Sequence, residues 1–258
     1  QTASKVRRIR RIAVYAASVA AALILGVFLN WFFIGESSRT GASQMLTLCT
    51  DPGQRANITL PDGTVVKLNS GSVLEYPAVF SRKERRVKVN GEVMLNVAED
   101  AKKPFVVETF AYDVRVLGTK FNIIADEQTG EFSTALLEGK VSVMDKAGID
   151  RAILLPSQMV SLEEGALKLS TIRNIEEEYL WTEGILSVAG VPFDKLVQRM
   201  ERCYGVNIVV EKDKMPSVRY RRMKVRISDG IEFALNAIQR ESDFEWHYDD
   251  LTHTYYIY

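Results

Sequence analysis

The side chains that most often carry catalysis or bind metals are sparse in this chain. Its two histidines, His247 and His253, lie on a C-terminal pattern that predicts two strands joined by a turn. A cross-strand metal pair would need a third ligand, and none is evident, so the pattern favours partly exposed strand histidines. Motifs of serine hydrolases, phosphate-binding loops, zinc proteases and dinucleotide-binding enzymes do not occur. We therefore expect no enzyme activity toward other molecules, no metal and no cofactor.

Acidic residues beside glycines form a second group of chemical candidates. Asp62, Glu92 and Glu138 each adjoin a glycine. Two such carboxylates brought together could act as an acid and a base, but acidic residues in turns usually bond nearby backbone and face solvent. The charged run from Arg82 to Arg86 likewise favours a solvated loop over a ligand patch. Neither group predicts an active site.

Cys49 and Cys203 are the only cysteines. An oxidising compartment would permit a disulfide, but spacing alone cannot establish a link between distant segments. Cys203 follows Phe193, Leu196 and Met200 at helical spacing, which predicts a thiol buried on the apolar face of a helix. We expect two free cysteines.

The elements that position these residues begin with a long apolar run, from Ile12 to Ile34, that contains no charged residue. As a helix it would be about 35 Å long, enough to cross a hydrocarbon core of about 30 Å. A cleaved signal peptide is the alternative, but the run exceeds the usual apolar region and no small-residue cleavage site follows it. Five basic residues precede the run, and the first acid after it is Glu36. The positive-inside rule therefore predicts a cytoplasmic flank at residues 1–11, a transmembrane helix over residues 12–34 and export of everything that follows.

The net charge of zero hides an asymmetry between the two sides of this span. All 33 acidic residues lie after Ile34, whereas five of the 33 basic residues lie before it. The exported part thus holds 28 basic and 33 acidic residues, a net charge of −5. This balance argues against nucleic acid as a partner of the exported part.

The exported part begins with a small, polar linker at residues 35–44 and continues with alternating apolar and polar residues over residues 45–173. Many short strands with regular turn signals predict an all-β domain, either a two-sheet sandwich or a short β-solenoid. Asn90 and Gly91 lie between two apolar runs and predict a two-residue hairpin turn.

The pattern changes after this domain, and residues 174–258 predict a small α+β module of two similar βαβ halves. One helix is predicted to start at Pro192, because proline suits the first helical turn. A second helix is predicted after Ser228 and Asp229, which are favourable capping residues. A strand and a closing hairpin complete the module.

Six segments follow the span in a fixed order, and the first five carry short motifs: Leu-Pro-Asp-Gly, Gly-Glu, Pro-Phe-x-Val, Leu-Gly-Thr-x-Phe-Asn and Glu-Gly-x-Val. The segments are LPDGTVVKLNSGS (60–72), RRVKVNGEVMLNVAED (85–100), KPFVVET (103–109), VRVLGTKFNI (114–123), LLEGKVSV (136–143) and LLPSQMV (154–160). Together they resemble the exported domain of FecR-type anti-sigma regulators. Residues 174–258 resemble the C-terminal domain usual in the Bacteroidetes branch, which is related to the secretin and TonB short N-terminal (STN) fold. The resemblance covers nearly everything after the span.

This resemblance implies a single-pass regulator of the bacterial inner membrane, with a cytoplasmic N-terminus and periplasmic C-terminal domains. Members hold an extracytoplasmic-function sigma factor through a cytoplasmic helical domain. Their periplasmic part docks on the signalling domain of a TonB-dependent transporter of the SusC or FecA kind, and loading of that transporter releases the sigma factor. Only eleven residues precede the span here, so we expect the sigma factor to bind through a segment upstream of Gln1.

A strand predicted over residues 219–227 is the candidate docking element for the transporter. An edge strand offers unpaired N–H and C=O groups that a second small domain can complete. The outward face of this strand carries three basic residues of the kind that blunt exposed edges, Arg222, Lys224 and Arg226. A solvated face without a partner is the alternative interpretation.

The resemblance also points to the Gly118–Thr119 bond, because some members cut themselves within the matching Gly-Thr motif. A threonine hydroxyl can attack the carbonyl that precedes it and shift the chain from amide to ester, which water then opens. A glycine supplies an unhindered carbonyl for this attack. The alternative is structural: Gly118 permits a bulge and Thr119 packs in a strand.

A membrane-anchored periplasmic protein that binds glycan or peptidoglycan is a second functional hypothesis. Its binding platform would consist of exposed aromatic residues near the C-terminus, Tyr248, Tyr255, Tyr256 and Tyr258. Ordinary strand packing explains the same residues, because tyrosine favours strands.

Overall fold

The computed structural model describes most of the chain after the linker. The described residues are 18, 20–30, 44–188, 192–211, 216, 223–240 and 242–258. Contacts divide the chain into two compact units, Gln1–Ser43 and Gln44–Tyr258.

The first unit contains helix α1, of which residues 18 and 20–30 are described. Within the described ranges, no helix combines the length and the apolar character needed to cross a membrane. Of the predicted span of residues 12–34, residues 18 and 20–30 are described, whereas the flank 1–11 and residues 35–43 of the linker lie outside the described residues.

The second unit begins with thirteen strands, in agreement with the all-β prediction. Their bounds are β1 Met45–Cys49, β2 Ala56–Thr59, β3 Val65–Leu68, β4 Val73–Pro77, β5 Arg85–Asn96, β6 Phe105–Glu108, β7 Asp113–Val116, β8 Lys120–Asp126, β9 Glu131–Glu138, β10 Val141–Met144, β11 Asp150–Leu154, β12 Gln158–Glu163 and β13 Ala166–Thr171.

These strands form two sheets that share β5. One sheet has the order β1-β4-β5-β6-β7-β10-β11 and the other the order β2-β3-β5-β8-β9-β12-β13. Neighbours are antiparallel, apart from the parallel pair β5–β6. Inward-facing residues of both sheets build one core, including Leu68, Leu74, Val93, Phe105 and Phe121. Of the two predicted alternatives, the structure has the two-sheet arrangement.

The hairpin predicted at Asn90 and Gly91 is wrong, because β5 runs through both residues without a break. Asn90 pairs with Val73 in one sheet, whereas Gly91 pairs with Ala125 in the other. A Cβ on Gly91 would lie 2.6 Å from the Oγ of Ser72, so glycine lets the strand pass Ser72 as it changes sheets. The same two residues that favour a hairpin turn here bend one long strand.

Among its described residues, the C-terminal part combines two α-helices with five short strands, as the α+β prediction requires. In chain order these are a 3-10 helix Ile175–Glu183, β14 Ile185–Ser187, α2 Phe193–Tyr204, β15 Asn207–Val210, β16 Lys224–Arg226, a 3-10 turn Ile227–Asp229, α3 Ile231–Gln239, β17 Trp246–Asp249 and β18 Thr254–Ile257. Strands β14 and β16 pair with each other, and β15, β18 and β17 form a three-stranded sheet in that order.

Helix α2 confirms the start predicted at Pro192, which is its N-cap residue. The cap predicted for the second helix is wrong: Ser228 and Asp229 form the 3-10 turn, and Gly230 precedes α3. The apolar faces of both helices bury a second core, which includes Leu196, Met200, Leu235 and Ile238. Hydrophobic burial on one helix face is what holds such short helices in place.

The module packs directly on the β domain. Met94 and Ala135 of the β domain belong to the second core. The buried hydroxyl of Tyr179 donates a hydrogen bond of 2.8 Å to the carbonyl of Ala135. Burial raises the pKa of Tyr179, so this phenol stays protonated and keeps donating at neutral pH.

Candidate functional site

A buried arginine ties together the loops that carry the sequence motifs. Arg85 is 2% exposed and lies over the ring of Phe105. Its Nη1 donates to the Oδ2 of Asp62 at 3.0 Å and to the carbonyl of Ala98. Its Nη2 donates to the carbonyl of Leu117 at 3.2 Å. One guanidinium therefore joins the Leu-Pro-Asp-Gly loop to the residue just before Gly118.

The prediction of a solvated charge run is wrong for Arg85. This residue precedes Val87 and Val89 at a spacing of two, on the face of β5 that points into the core. That spacing was the sequence signal for its burial. The neighbouring Arg86 does face outward, where it pairs with Glu84 and Asp113.

Gly118 and Thr119 connect β7 to β8 at the edge of this cluster. A Cβ on Gly118 would lie 2.8 Å from the Cα of Glu99, so only glycine fits beside that backbone. The Thr119 side chain is 5% exposed, and its hydroxyl donates to the carbonyl of Lys140 at 3.1 Å. The pairing of β8 with β9 shifts register directly after Lys120. The shift leaves Leu137 of β9 as the extra residue, so the structure shows the packed Thr119 of the structural alternative but not its bulge at Gly118.

The two groups that would react in self-cleavage both face Gly139. The carbonyl oxygen of Gly118 and the Oγ1 of Thr119 each lie within 3 Å of the point that a Cβ on Gly139 would occupy, at 2.8 and 2.9 Å. Gly139 has a φ of +95°, a conformation that favours glycine. Only the absence of a side chain at residue 139 therefore lets its backbone lie close to the carbonyl and the hydroxyl at once.

A second polar cluster lies beneath the C-terminal module. Glu92 is buried, and its two carboxylate oxygens accept hydrogen bonds from Asn69 and Asn122, at 2.8 and 2.9 Å. The expectation that acidic residues beside glycines face solvent is therefore wrong for Glu92. It holds for Glu138, which is exposed, while Asp62 bonds Thr64 and Arg85.

Helix α2 brings a guanidinium to this cluster. The Nη1 of Arg202 donates to Glu131 at 2.8 Å, and its Nε lies 3.5 Å from the carboxylate of Glu92. The second distance is that of an ion pair but too long for a good hydrogen bond. Burial alone would lower the pKa of Arg202, but Glu92 and Glu131 raise it on balance, so the group remains charged. The module is thereby bound to both β5 and β9 through charge.

The candidate docking strand is only partly described. Lys224 and Arg226 are exposed on β16, while Val225 between them is buried, as the predicted alternation requires. Antiparallel pairing joins β16 to β14. Arg222 lies outside the described residues.

The histidines, the cysteines and the C-terminal tyrosines are the remaining candidates. Within the described ranges, no group of three or more His, Cys, Asp or Glu side chains is placed to hold a metal. His253 instead bonds the hydroxyl of Tyr248 at 3.0 Å. The two cysteines are free, with Cys49 exposed and Cys203 buried, as expected. Tyr255 is buried, so the aromatic platform of the glycan hypothesis loses one of its four members.

Comparison with known proteins gives two family matches. The model described as FecR protein matches residues 47–142, and the model described as FecR, C-terminal, matches residues 185–255. None of the curated proteins compared with the chain matches it.

Two crystal structures described as a "putative anti-sigma factor" from Parabacteroides distasonis ATCC 8503, at 2.50 and 1.65 Å resolution, are similar to this chain. Sequence identity is 28% in both cases, and the matches cover 83% of this chain. They cover 99% and 98% of the solved chains, with TM-scores of 0.70 and 0.71. The likeness therefore extends over both the β domain and the C-terminal module.

Proposed function

The chain belongs to the FecR-type regulators of sigma factors, and from this premise we propose that it carries a signal across the inner membrane. In this proposal the chain is anchored by residues 12–34, and the part after the anchor lies in the periplasm. There it senses a TonB-dependent outer-membrane transporter and so controls an extracytoplasmic-function sigma factor bound through a segment upstream of Gln1.

One observation carries this proposal: the β domain and the C-terminal module are joined as one compact unit over residues 44–258. A partner that binds the module therefore acts on a body continuous with the linker. The uncharged run with five basic residues on one side supports the membrane anchor and its orientation.

Reporter fusions test the orientation. A reporter active only in the periplasm, fused after Tyr258, should be active, and the same reporter fused before Ile12 should be silent. If a reporter that works only in the cytoplasm is active when it is fused after Tyr258, the proposed periplasmic location is wrong.

We assign transporter docking to the basic strand β16. Lys224 and Arg226 project to solvent, whereas Val225 holds the strand in the second core. In the test, residues 222, 224 and 226 are all changed to glutamate in the 44–258 fragment. This variant should bind a transporter signalling domain more weakly than the wild type in a pull-down, and its thermal stability should barely change. Lys168→Glu is the control, because Lys168 is also an exposed charge on a strand. Equal capture by the triple variant and the control would remove β16 from the interface.

We also propose that the chain cuts itself between Gly118 and Thr119. The Thr119 oxygen would bond to the Gly118 carbonyl carbon, the amide C–N bond would break, and the hydroxyl proton would pass to the new amine. Water would then hydrolyse the ester to a Gly118 carboxylate and free Thr119. The close approach of Gly139 supports this step, because any side chain at that residue would crowd both reacting groups. The hydroxyl must first release the carbonyl of Lys140.

A further inference from the structure

The solvent-facing side of the sheet β15-β18-β17 carries a row of three ring side chains beside a valine, here called the aromatic face: Val209, His247, Tyr256 and Tyr258. Strand pairing places Val209, Tyr256 and His247 side by side across the three strands. The imidazole of His247 stacks on Tyr256, with 5.2 Å between ring centroids and 13° between planes, and lies 5.6 Å from Tyr258. The side chains of Tyr258 and Val209 are 45% and 43% exposed. The opposite side of the sheet is buried in the second core, so the aromatic face is the one open to a partner.

Carboxylates surround the aromatic face. Glu245 pairs with Tyr258 through two backbone hydrogen bonds, so both side chains lie on the same side of the sheet. Asp249 follows His247 by two residues on β17, and Glu211 follows Val209 by two residues at the end of β15. All three therefore share the face by strand alternation. Among the described residues of this face, none is a lysine or an arginine.

Rings and carboxylates together form a surface suited to a cation. The face of a tyrosine ring attracts an arginine or lysine side chain, because the ring carries negative charge on its faces. A carboxylate beside the ring adds an ion pair and, for arginine, a geometry with two parallel hydrogen bonds. We propose that the aromatic face binds a basic segment of a partner protein, with arginine side chains laid on Tyr256 and Tyr258 between Glu211 and Glu245. This surface has the opposite charge to β16 and does not depend on the docking proposed there.

A short arginine peptide tests this proposal directly on the 44–258 fragment, which has its own two cores. We expect a hexa-arginine peptide to shift the NMR signals of His247 and Tyr256 at low ionic strength. The double variant Glu211→Gln/Glu245→Gln should weaken binding at least tenfold, and Tyr256→Ser several-fold. Raising the salt concentration should weaken binding by the wild type, because exposed charges are screened.

Two matched controls separate this face from general attraction between acid and arginine. Glu163→Gln/Glu164→Gln removes two exposed carboxylates from the β domain, and Phe233→Ser removes an exposed aromatic ring from α3. Both should bind the peptide as the wild type does. Equal weakening by the Glu163/Glu164 pair would overturn the proposal, as would the absence of any shift at His247 and Tyr256.

Other occupants of the face give different results. If the face binds sugar, an oligosaccharide should shift the NMR signals of His247 and Tyr256. The carboxylate variants should then bind the oligosaccharide as the wild type does. If the chain's own basic residues between 212 and 222 covered the face, Glu211→Gln/Glu245→Gln would lower the thermal stability of the fragment and the peptide would not bind. Either outcome would contradict the proposal that this face binds a basic segment of a partner protein.

Discussion

The guanidinium of Arg202 on α2 contacts the carboxylate of Glu131 on β9, with 2.8 Å between Nη1 and Oε2. The same guanidinium lies beside the buried Glu92, whose oxygens are held by two asparagine amides. A charge from the C-terminal module thus neutralises a carboxylate that the β domain buries. The charge balance in the interior of the β domain therefore depends on a side chain of the module.

Arg202→Met should destabilise the protein, because it leaves Glu92 buried without its cation. We expect a loss of about 1–3 kcal/mol in the free energy of unfolding, measured by urea denaturation. Lys168→Met, which breaks the exposed pair with Glu163, is the control and should change little. Equal stability of wild type and Arg202→Met would show that the Arg202 contacts do not stabilise the fold.

A substitution at Gly205 tests how closely the two parts are packed. A Cβ on Gly205 would lie 2.1 Å from the backbone nitrogen of Gly53, and its φ is +66°. Gly205→Ala should lower the free energy of unfolding, measured by urea denaturation, by at least about 1 kcal/mol because of the backbone conformation. The clash should lower it by about 1–3 kcal/mol more. Gly71→Ala isolates the first term, because Gly71 has a φ of +65° and nothing within 4 Å of an added Cβ. Equal losses in the two variants would mean that the loop at Gly53 moves away freely.

Arg85→Lys should be strongly destabilising although it keeps the charge. The planar guanidinium bonds four acceptors at once: the carboxylate of Asp62 and the carbonyls of Ala98, Lys103 and Leu117. A single lysine ammonium cannot reach all four. The expected loss is about 3 kcal/mol, from buried acceptors left without donors. Arg86→Lys, at the exposed neighbour, should cost less than about 1 kcal/mol. Similar unfolding curves for the two lysine variants would contradict the central role given to Arg85.

Local patterns in the sequence predicted most of the secondary structure but not how its pieces meet. The alternation after residue 45 and the apolar stripe of α2 were sufficient, because each reports which side of one element is buried. The hairpin predicted at Asn90–Gly91 is wrong because a hairpin turn and a bend between two sheets both favour a glycine with its wide range of backbone conformations. Only the approach of Ser72, from a distant part of the chain, distinguishes them.

The polar clusters were missed for a related reason. A buried charge is recognised by its partners, and the partners of Arg85 and Glu92 come from distant loops and strands. The alternation with Val87 could have indicated the burial of Arg85. No local signal connects Glu92 with Arg202, which lies on α2 of the C-terminal module.

The two cysteines should react very differently. Cys49 is exposed, whereas burial raises the pKa of the Cys203 thiol to about 12, so at pH 8 Cys203 carries almost no thiolate. Iodoacetamide at pH 8 should therefore add one label to the native protein and two in denaturant, as counted by intact mass spectrometry. Cys49→Ser should leave the native protein unlabelled. Rapid labelling of Cys203 in that variant would show that α2 opens readily from the second core.

Self-cleavage at Gly118–Thr119 predicts two defined fragments. Purified protein should yield, on prolonged incubation, one fragment that ends at Gly118 and one that starts at Thr119. Thr119→Ala should abolish both fragments, whereas Thr119→Ser should retain some cleavage because the hydroxyl remains. Gly139→Ala should slow the reaction, because its Cβ would crowd the Gly118 carbonyl and the Thr119 hydroxyl.

The fragments should remain together after the cut. Strand β5 of the first fragment pairs with β8 of the second over six residues, and β7 pairs with β10. Native mass spectrometry should therefore show one complex where denaturing conditions show two chains. If only the full-length chain is found after long incubation, Gly118 and Thr119 have the structural role alone: Gly118 fits beside the backbone of Glu99, and Thr119 bonds Lys140. In that case Thr119→Ala should still lower the free energy of unfolding, by about 1 kcal/mol for the lost hydrogen bond.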